Sequence, residues 1–286
     1  MRPIQPSSFD YQLPQLIQSG PNSQAAGANA WGDSSSYSLQ VPDNTFVGGN
    51  PRGSGAVDLQ TSRTAANQVA SGANSFLAGS NSIASGSGSI AVGTGCTASG
   101  IASTAFGTST ASNSYALATG NSVASGAYSV GLQYANAVRN GVFNFNGVPF
   151  ASRGEAQTGI IVLGGTTTTT TTVALTSDLA AGSSTNQLSV PTAGQAIYGS
   201  GEIVARQTAT NQVSAWTITL AIYNNGGTPA TVPISNVANV FGGISLLSAS
   251  PTIAVSGNNL VIFSGAKSSA TIRWVATVRF TEIIYA

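Results

Sequence analysis

From about residue 53 the chain alternates apolar and polar positions in short bursts that recur at one period. Gly79, Gly93, Gly107 and Gly120 are spaced by 14, 14 and 13 residues. A second series runs in step: Ala70, Ala84, Ala98, Ala111 and Ala124, each followed by Ser and then by Gly or Asn. In the first half of each repeat, Phe76 and Ala78, Ile90 and Val92, Thr104 and Phe106, Leu117 and Thr119, and Val130 and Leu132 occupy alternate positions. That spacing predicts one side of a short strand, read here as the inward side. Ile83, Thr97, Thr110 and Val123 are read the same way before the Ala-Ser-Gly turn. Each repeat is then two short strands and two tight turns, with Gly or Asn where φ must be positive. Five or six such coils, stacked at about 4.8 Å, give a rod on the order of 25 Å tall. A coil this thin encloses a few small side chains, too little apolar area to offset the entropy of ordering it. Lateral association of several copies is expected.

The pattern changes on either side of this shaft (51–138). Residues 1–50 hold Pro3, Pro6, Pro14, Pro21 and Pro42 among Gln, Ser and Asn. Proline fixes φ and removes ladder donors, so this segment is expected to be extended and ordered by lying on a partner. Its apolar anchors are Phe9, Tyr11, Leu13, Leu16 and Ile17. Residues 139–172, with two Asn-Gly turns and seven consecutive threonines, read as a connector. Beyond it, strands are predicted at about 173–176, 202–208, 213–223, 243–247, 252–255, 259–263 and 270–284, separated by Gly- and Asn-rich turns. In the last strand Ile272, Trp274, Ala276, Val278 and Phe280 alternate with Arg273, Val275, Thr277, Arg279 and Thr281, which predicts one buried face. Residues 173–286 are expected to form an antiparallel β-sandwich.

Composition removes most chemistry from this all-β frame. The 286 residues carry 9 basic and 8 acidic side chains, a formal charge of +1, and no His. Amphipathic helices with charged faces cannot be built from so few charges. Without His, neither Ser-His-Asp nor Cys-His catalysis is available, and the commonest zinc ligand is missing. The lone Cys96 forms no disulfide within the chain and sits where other coils have Ser82, Ser109 and Ser122. Scattered basic residues make no stripe for a phosphate backbone, so no nucleic acid is expected. No stretch of eighteen apolar residues occurs, so no membrane insertion is expected, and prolines interrupt the place where an export signal would lie. The stretch from Thr64 to Val138 has no charged residue at all, which fits faces covered by other copies.

The repeats SIAVG (89–93), TASG (97–100) and NSVASG (121–126) resemble the head repeats of trimeric autotransporter adhesins, which are trimers of left-handed parallel β-rolls. The preceding run RGSGAVDLQTSRTAANQVASG (52–72) resembles the lead-in to such repeats in bacteriophage fibre proteins. LTSDLAAG, GEIVARQ, AWTITLAIYNNGG and IRWVATVRFTEI, all in the last third, resemble C-terminal domains of phage virion and tail-fibre proteins. The resemblance implies a trimeric left-handed β-roll shaft followed by a C-terminal β-sandwich. An export signal, heptad stalk and final membrane strands, which the adhesins need, are not recognised in the sequence.

The expected function is a homotrimeric bacteriophage virion fibre or spike on the tail or capsid exterior, docked to other virion proteins by residues 1–50. A capsid-attached decoration fibre and a bacterial surface adhesin are the alternatives. Contact with a host surface glycan or protein is expected at the loops after strand 213–223 and around 257–259, through Tyr223, Asn224, Asn225, Asn258 and Asn259. A cap that only closes the shaft is the competing role for the terminal unit. Two carboxylates suffice for glycoside chemistry, but Glu155, Asp178, Glu202 and Glu282, the acids after Asp58, lie in no recognisable motif. The chain is therefore expected not to be an enzyme, with no cofactor and no metal site.

Overall fold

The computed structural model describes residues 39–40, 50–145, 149–226, 230–244 and 249–284. Along the shaft the strands are β1 (Leu39–Gln40), β2 (Val57–Ser62), β3 (Phe76–Ser80), β4 (Ile83–Ala84), β5 (Ile90–Thr94), β6 (Thr97–Ala98) and β7 (Thr104–Gly107). They continue as β8 (Thr110–Ala111), β9 (Leu117–Thr119), β10 (Val123–Ala124), β11 (Val130–Leu132), β12 (Asn136–Ala137) and β13 (Phe143–Phe145). Two parallel stacks result, β1-β2-β3-β5-β7-β9-β11-β13 and β4-β6-β8-β10-β12, which is a solenoid of about six coils. The register steps by one repeat at each coil: Ile90 lies beside Thr104, and Thr97 beside Thr110.

The interior of the coils is built from the smallest side chains. Ala91, Ala105 and Ala118, with Leu77, fill it from one stack, and Ala84, Ala98, Ala111, Ala124 and Ala137 from the other, all fully buried. Hydroxyls and the thiol line the turn between the stacks. Ser82 Oγ donates to the Gly93 carbonyl at 3.1 Å and accepts from the Cys96 amide at 3.1 Å, while Cys96 Sγ contacts the Gly107 carbonyl at 2.7 Å. Cys96 thus does the work of the serine found in neighbouring coils. At the opposite corner the backbones of successive coils approach so closely that a Cβ on Gly86 would overlap the Gly100 carbonyl oxygen.

This arrangement corrects the predicted facing of the strands. Phe76, Ile90 and Phe106 are 36, 37 and 41 % exposed and point outward, whereas their sequence neighbours Leu77, Ala91 and Ala105 point inward. The second half-coil is shifted in the same sense, with Ala84 and Ala98 inside and Ile83 and Thr97 half-buried. Leu77 apart, the inward positions of these 13- or 14-residue coils hold Ala, so small volume overrides the rule that the larger apolar residue goes inside.

Beyond the shaft come β14 (Ala156–Thr167), β15 (Leu188–Ser189), β16 (Gln195–Gln207), β17 (Val213–Tyr223), β18 (Thr231–Gly242), β19 (Thr252–Ser256), β20 (Asn259–Phe263) and β21 (Ile272–Ile284). The long strands extend the shaft sheet in antiparallel order, β13-β14-β21-β16-β17-β18, and β15-β20-β19 form a separate small sheet. Residues 156–167, read from sequence as connector, are therefore the strand that joins shaft to terminal unit. Residues 173–176 make only isolated bridges, most of the strand expected at 243–247 lies outside the described residues, and a strand not expected from the sequence runs at Thr231–Gly242. The alternation read in β21 is present: Ile272, Trp274, Ala276, Val278 and Phe280 are buried and the residues between them exposed. They pack with Ile161, Leu163, Ile203, Ile218 and Leu220. Trp216 and Trp274 meet at 5.6 Å between ring centroids, and Trp274 Nε1 donates to Thr167 Oγ1 at 2.9 Å, so the indole proton is satisfied inside the core.

Candidate functional site

The outward face of the large sheet is one continuous surface. In one column Phe76, Ile90, Thr104, Leu117, Val130 and Phe143 stand side by side, and the register carries on through Ile160, Arg279, Ser200 and Thr219. The next column runs Ala78, Val92, Phe106, Thr119, Leu132 and Phe145, then Thr158, Thr281, Tyr198 and Ala221. The shaft part is apolar and uncharged, and the rings of Phe143 and Phe145 lie 6.0 Å apart at its end. Apart from the hydroxyls of Thr104 and Thr119, polar groups enter where the long strands begin.

There, Ile160, Ser200, Glu202, Thr217, Thr219, Thr277 and Arg279 line an open groove of about 460 Å³. Hydroxyls dominate it. Among the described residues that line it, Glu202 is the one acid and Arg279 the one base, placed on adjacent rows because Ser200 pairs with Arg279 and Glu202 with Thr277. Such a groove offers hydrogen bonds and one carboxylate. Among the described residues no three Cys, Asp or Glu side chains converge as a metal site would need.

The other acids serve different ends. Glu282 is buried between shaft and terminal unit: Oε1 accepts from Arg139 Nη2 at 2.6 Å and from Gln195 Nε2 at 2.5 Å. Its Oε2 accepts from Arg139 Nη1 at 3.2 Å and from Gln157 Nε2 at 2.6 Å. Burial pushes the carboxyl pKa up, but the Arg139 charge and the hydrogen bonds from Arg139, Gln157 and Gln195 outweigh it and hold the group below the usual range. Arg139 also donates to the Ser189 carbonyl at 2.7 Å and lies 5.6 Å from the Phe280 ring centroid. At the other end of the shaft a second buried pair, Arg52 and Asp58 at 2.8 Å, closes the first coil. Glu155 Oε2 accepts the Ser152 amide at 2.8 Å and caps a turn. Sequence reading did not find the Arg139–Glu282 pair, because its members are 143 residues apart and neither sits in a motif.

The two loops predicted to contact a host are brought together. Val190 links them: its carbonyl accepts from Asn224 Nδ2 at 2.9 Å and its amide donates to the Asn258 carbonyl at 2.9 Å. The Ala230 amide also donates to the Gly257 carbonyl at 3.0 Å. Asn224 is buried and its side chain is spent on Val190 and on the Gly226 amide, so its role in the loop is structural. Tyr223 and Asn225 are exposed, and Asn258 and Asn259 are half-buried. Phe9, Tyr11, Leu13, Leu16 and Ile17 lie outside the described residues. The nearest described part of that segment, Leu39–Gln40, pairs in parallel with Val57 and Asp58.

No family model and no curated relative matches the chain. Among solved structures it is similar to the tailspike gp49 of Acinetobacter baumannii bacteriophage Fri1, a capsular polysaccharide depolymerase, at 10 % identity and a TM-score of 0.26. The match covers 86 % of this chain and 44 % of that one. The tailspike of Acinetobacter baumannii phage AM24 is similar at 11 % identity and a TM-score of 0.24, over 87 % of this chain and 49 % of that one. The chain thus spans under half the length of either. The expectation of a non-enzymatic chain is withdrawn on this finding, because the Fri1 tailspike is itself an enzyme.

Proposed function

We propose that the chain is one subunit of a homotrimeric bacteriophage tail spike or fibre. Its residues 1–50 dock to the virion, its solenoid forms the shaft, and its terminal unit, folded as an antiparallel sandwich of the large and small sheets, contacts the host surface. The observation that carries the reading is the outward apolar face of a shaft with no charge between Thr64 and Val138. At roughly 25 cal/mol per Å², covering the Phe, Ile, Leu and Val side chains of that face supplies the stabilisation that the alanine interior lacks. Three copies turned about one axis each bury the same face and leave no further one open, as closed symmetry requires. Three loop clusters at the terminal units then give avidity from individually weak contacts.

Light scattering on the native protein at micromolar concentration should give three times the chain mass. Ile90→Asp should lower it to the monomer while circular dichroism stays β-rich, since Ile90 faces away from the coil interior. A wild-type mass near that of one chain rejects the trimer. A second reading, a spike that also cleaves the host polysaccharide, is favoured by the exposed Glu202 in its hydroxyl-lined groove. Release of reducing ends from host polysaccharide by the wild type and not by Glu202→Gln supports it; release by neither removes it.

A further inference from the structure

One corner of the shaft is held in the left-handed region at every coil. Asn74, Gly88, Ala102, Tyr115, Tyr128 and Gly141 occupy equivalent positions with φ between 51 and 66°. Each is tied to the coil before it, as when the Tyr115 amide donates to the Ile101 carbonyl at 2.8 Å and the Tyr128 amide to the Ser114 carbonyl at 2.9 Å. Gly takes this conformation at no cost, whereas a bulky residue pays on the order of 1–2 kcal/mol. Two consecutive coils nevertheless place tyrosines there. Their rings stack at 4.9 Å and 8°, the pitch of the solenoid itself, and are 54 and 66 % exposed.

The column then stops. One coil further on is Gly141, so the ladder puts no side chain over the outer face of Tyr128. A Cβ built on Gly141 would meet only Ser177 Cβ, at 3.6 Å. Ser177 Oγ is buried and has no hydrogen-bond partner among the described residues. Beside it the exposed Asp178 accepts from Asn140 Nδ2 at 3.1 Å, from Asn186 Nδ2 at 2.8 Å and from the Ala180 amide at 3.0 Å. An exposed aromatic floor and a nearby carboxylate therefore flank a step of the stack that carries no side chain of its own and is bounded by Ser177.

The geometry points to a saccharide subsite in which a pyranose ring occupies the Gly141 step, its C–H face on Tyr128 and its hydroxyls toward the exposed Asp178 carboxylate. A sugar ring has the flat apolar face that stacks at such a pitch. Its hydroxyls donate well to a carboxylate, while that carboxylate disfavours a phosphate or another acid. The inference borrows from the host-contact reading only the place where such a sugar is met.

The test is binding of fluorescently labelled native protein to an array of purified bacterial capsular and O-antigen polysaccharides. Tyr128→Ala and Gly141→Tyr should each weaken the signal at least tenfold at unchanged light-scattering mass, the second because it fills the step as Tyr128 fills its own. Gly88→Tyr, in the same column where nothing lies within 4 Å, should bind as wild type. If Gly141→Tyr does not fold, Tyr128→Ala decides alone. Wild-type binding that both variants retain overturns the subsite and leaves host contact with the terminal unit. Wild-type adsorption to host cells without binding to any polysaccharide also overturns it. Loss of mass in Tyr128→Ala overturns it too, by making the column a contact between copies.

Discussion

At the residue scale, glycines with positive φ fall into two kinds that the sequence does not separate. Gly93 has φ 135° and a Cβ there would overlap the carbonyl oxygen of Gly107, in the adjacent coil. Gly88 has φ 66° with nothing within 4 Å of the same added atom. Gly88→Ala should therefore cost about 1 kcal/mol, the conformational penalty alone. Gly93→Ala should cost more, since two coils must also move apart and lose ladder hydrogen bonds. Thermal denaturation followed by circular dichroism ranks them, and equal melting points would refute the role given to backbone contact. The tyrosines at φ 57 and 58° show that the corner itself tolerates a large side chain when space is open.

At the element scale the decisive quantity is the width of a coil. A period-2 pattern says which residues share a face but not which face is inside. In β5 the inward residue is Ala91 and the outward ones are Ile90 and Val92. Ala91→Asp should abolish folding of the shaft, because an unpaired charge in the methyl-lined interior costs several kcal/mol. Ile90→Asp, by contrast, should leave the coil folded and strike only at association. Comparing circular dichroism and light-scattering mass of the two variants checks this; a folded Ala91→Asp would mean that the faces are assigned backwards.

For the whole molecule the junction of shaft and terminal unit encloses one buried ion pair, Arg139 with Glu282. Glu282→Gln leaves Arg139 buried without its counter-charge and should destabilise the fold by about 3–5 kcal/mol. The pair also sets a direction with pH. The folded carboxyl lies below its unfolded value, near 4.3 for Glu, so its contribution is complete above that value. As pH falls from there through the folded value, the contribution is lost. Denaturant melts between pH 7 and pH 3 should show a fall in stability that Glu282→Gln lacks. An identical fall in both proteins would place the acid sensitivity elsewhere.

The sequence by itself determined the all-β class, the repeat length, the two strands per coil and the alternation of β21, because these follow from local spacing and turn chemistry. It also determined that β17 spans 213–223 and that the two candidate loops follow β17 and β19. Only the tertiary structure decided what lies inside a coil, where volume and not hydrophobicity chooses Ala91 over Ile90. It alone made residues 156–167 a strand, since their partners in β21 are more than 100 positions away. The same holds for Arg139 with Glu282, and for Tyr115, Tyr128 and Ser177, whose meeting depends on how coils stack. Local pattern fixes what each segment prefers to be; which segments meet depends on long-range pairing, which no short window of the chain contains.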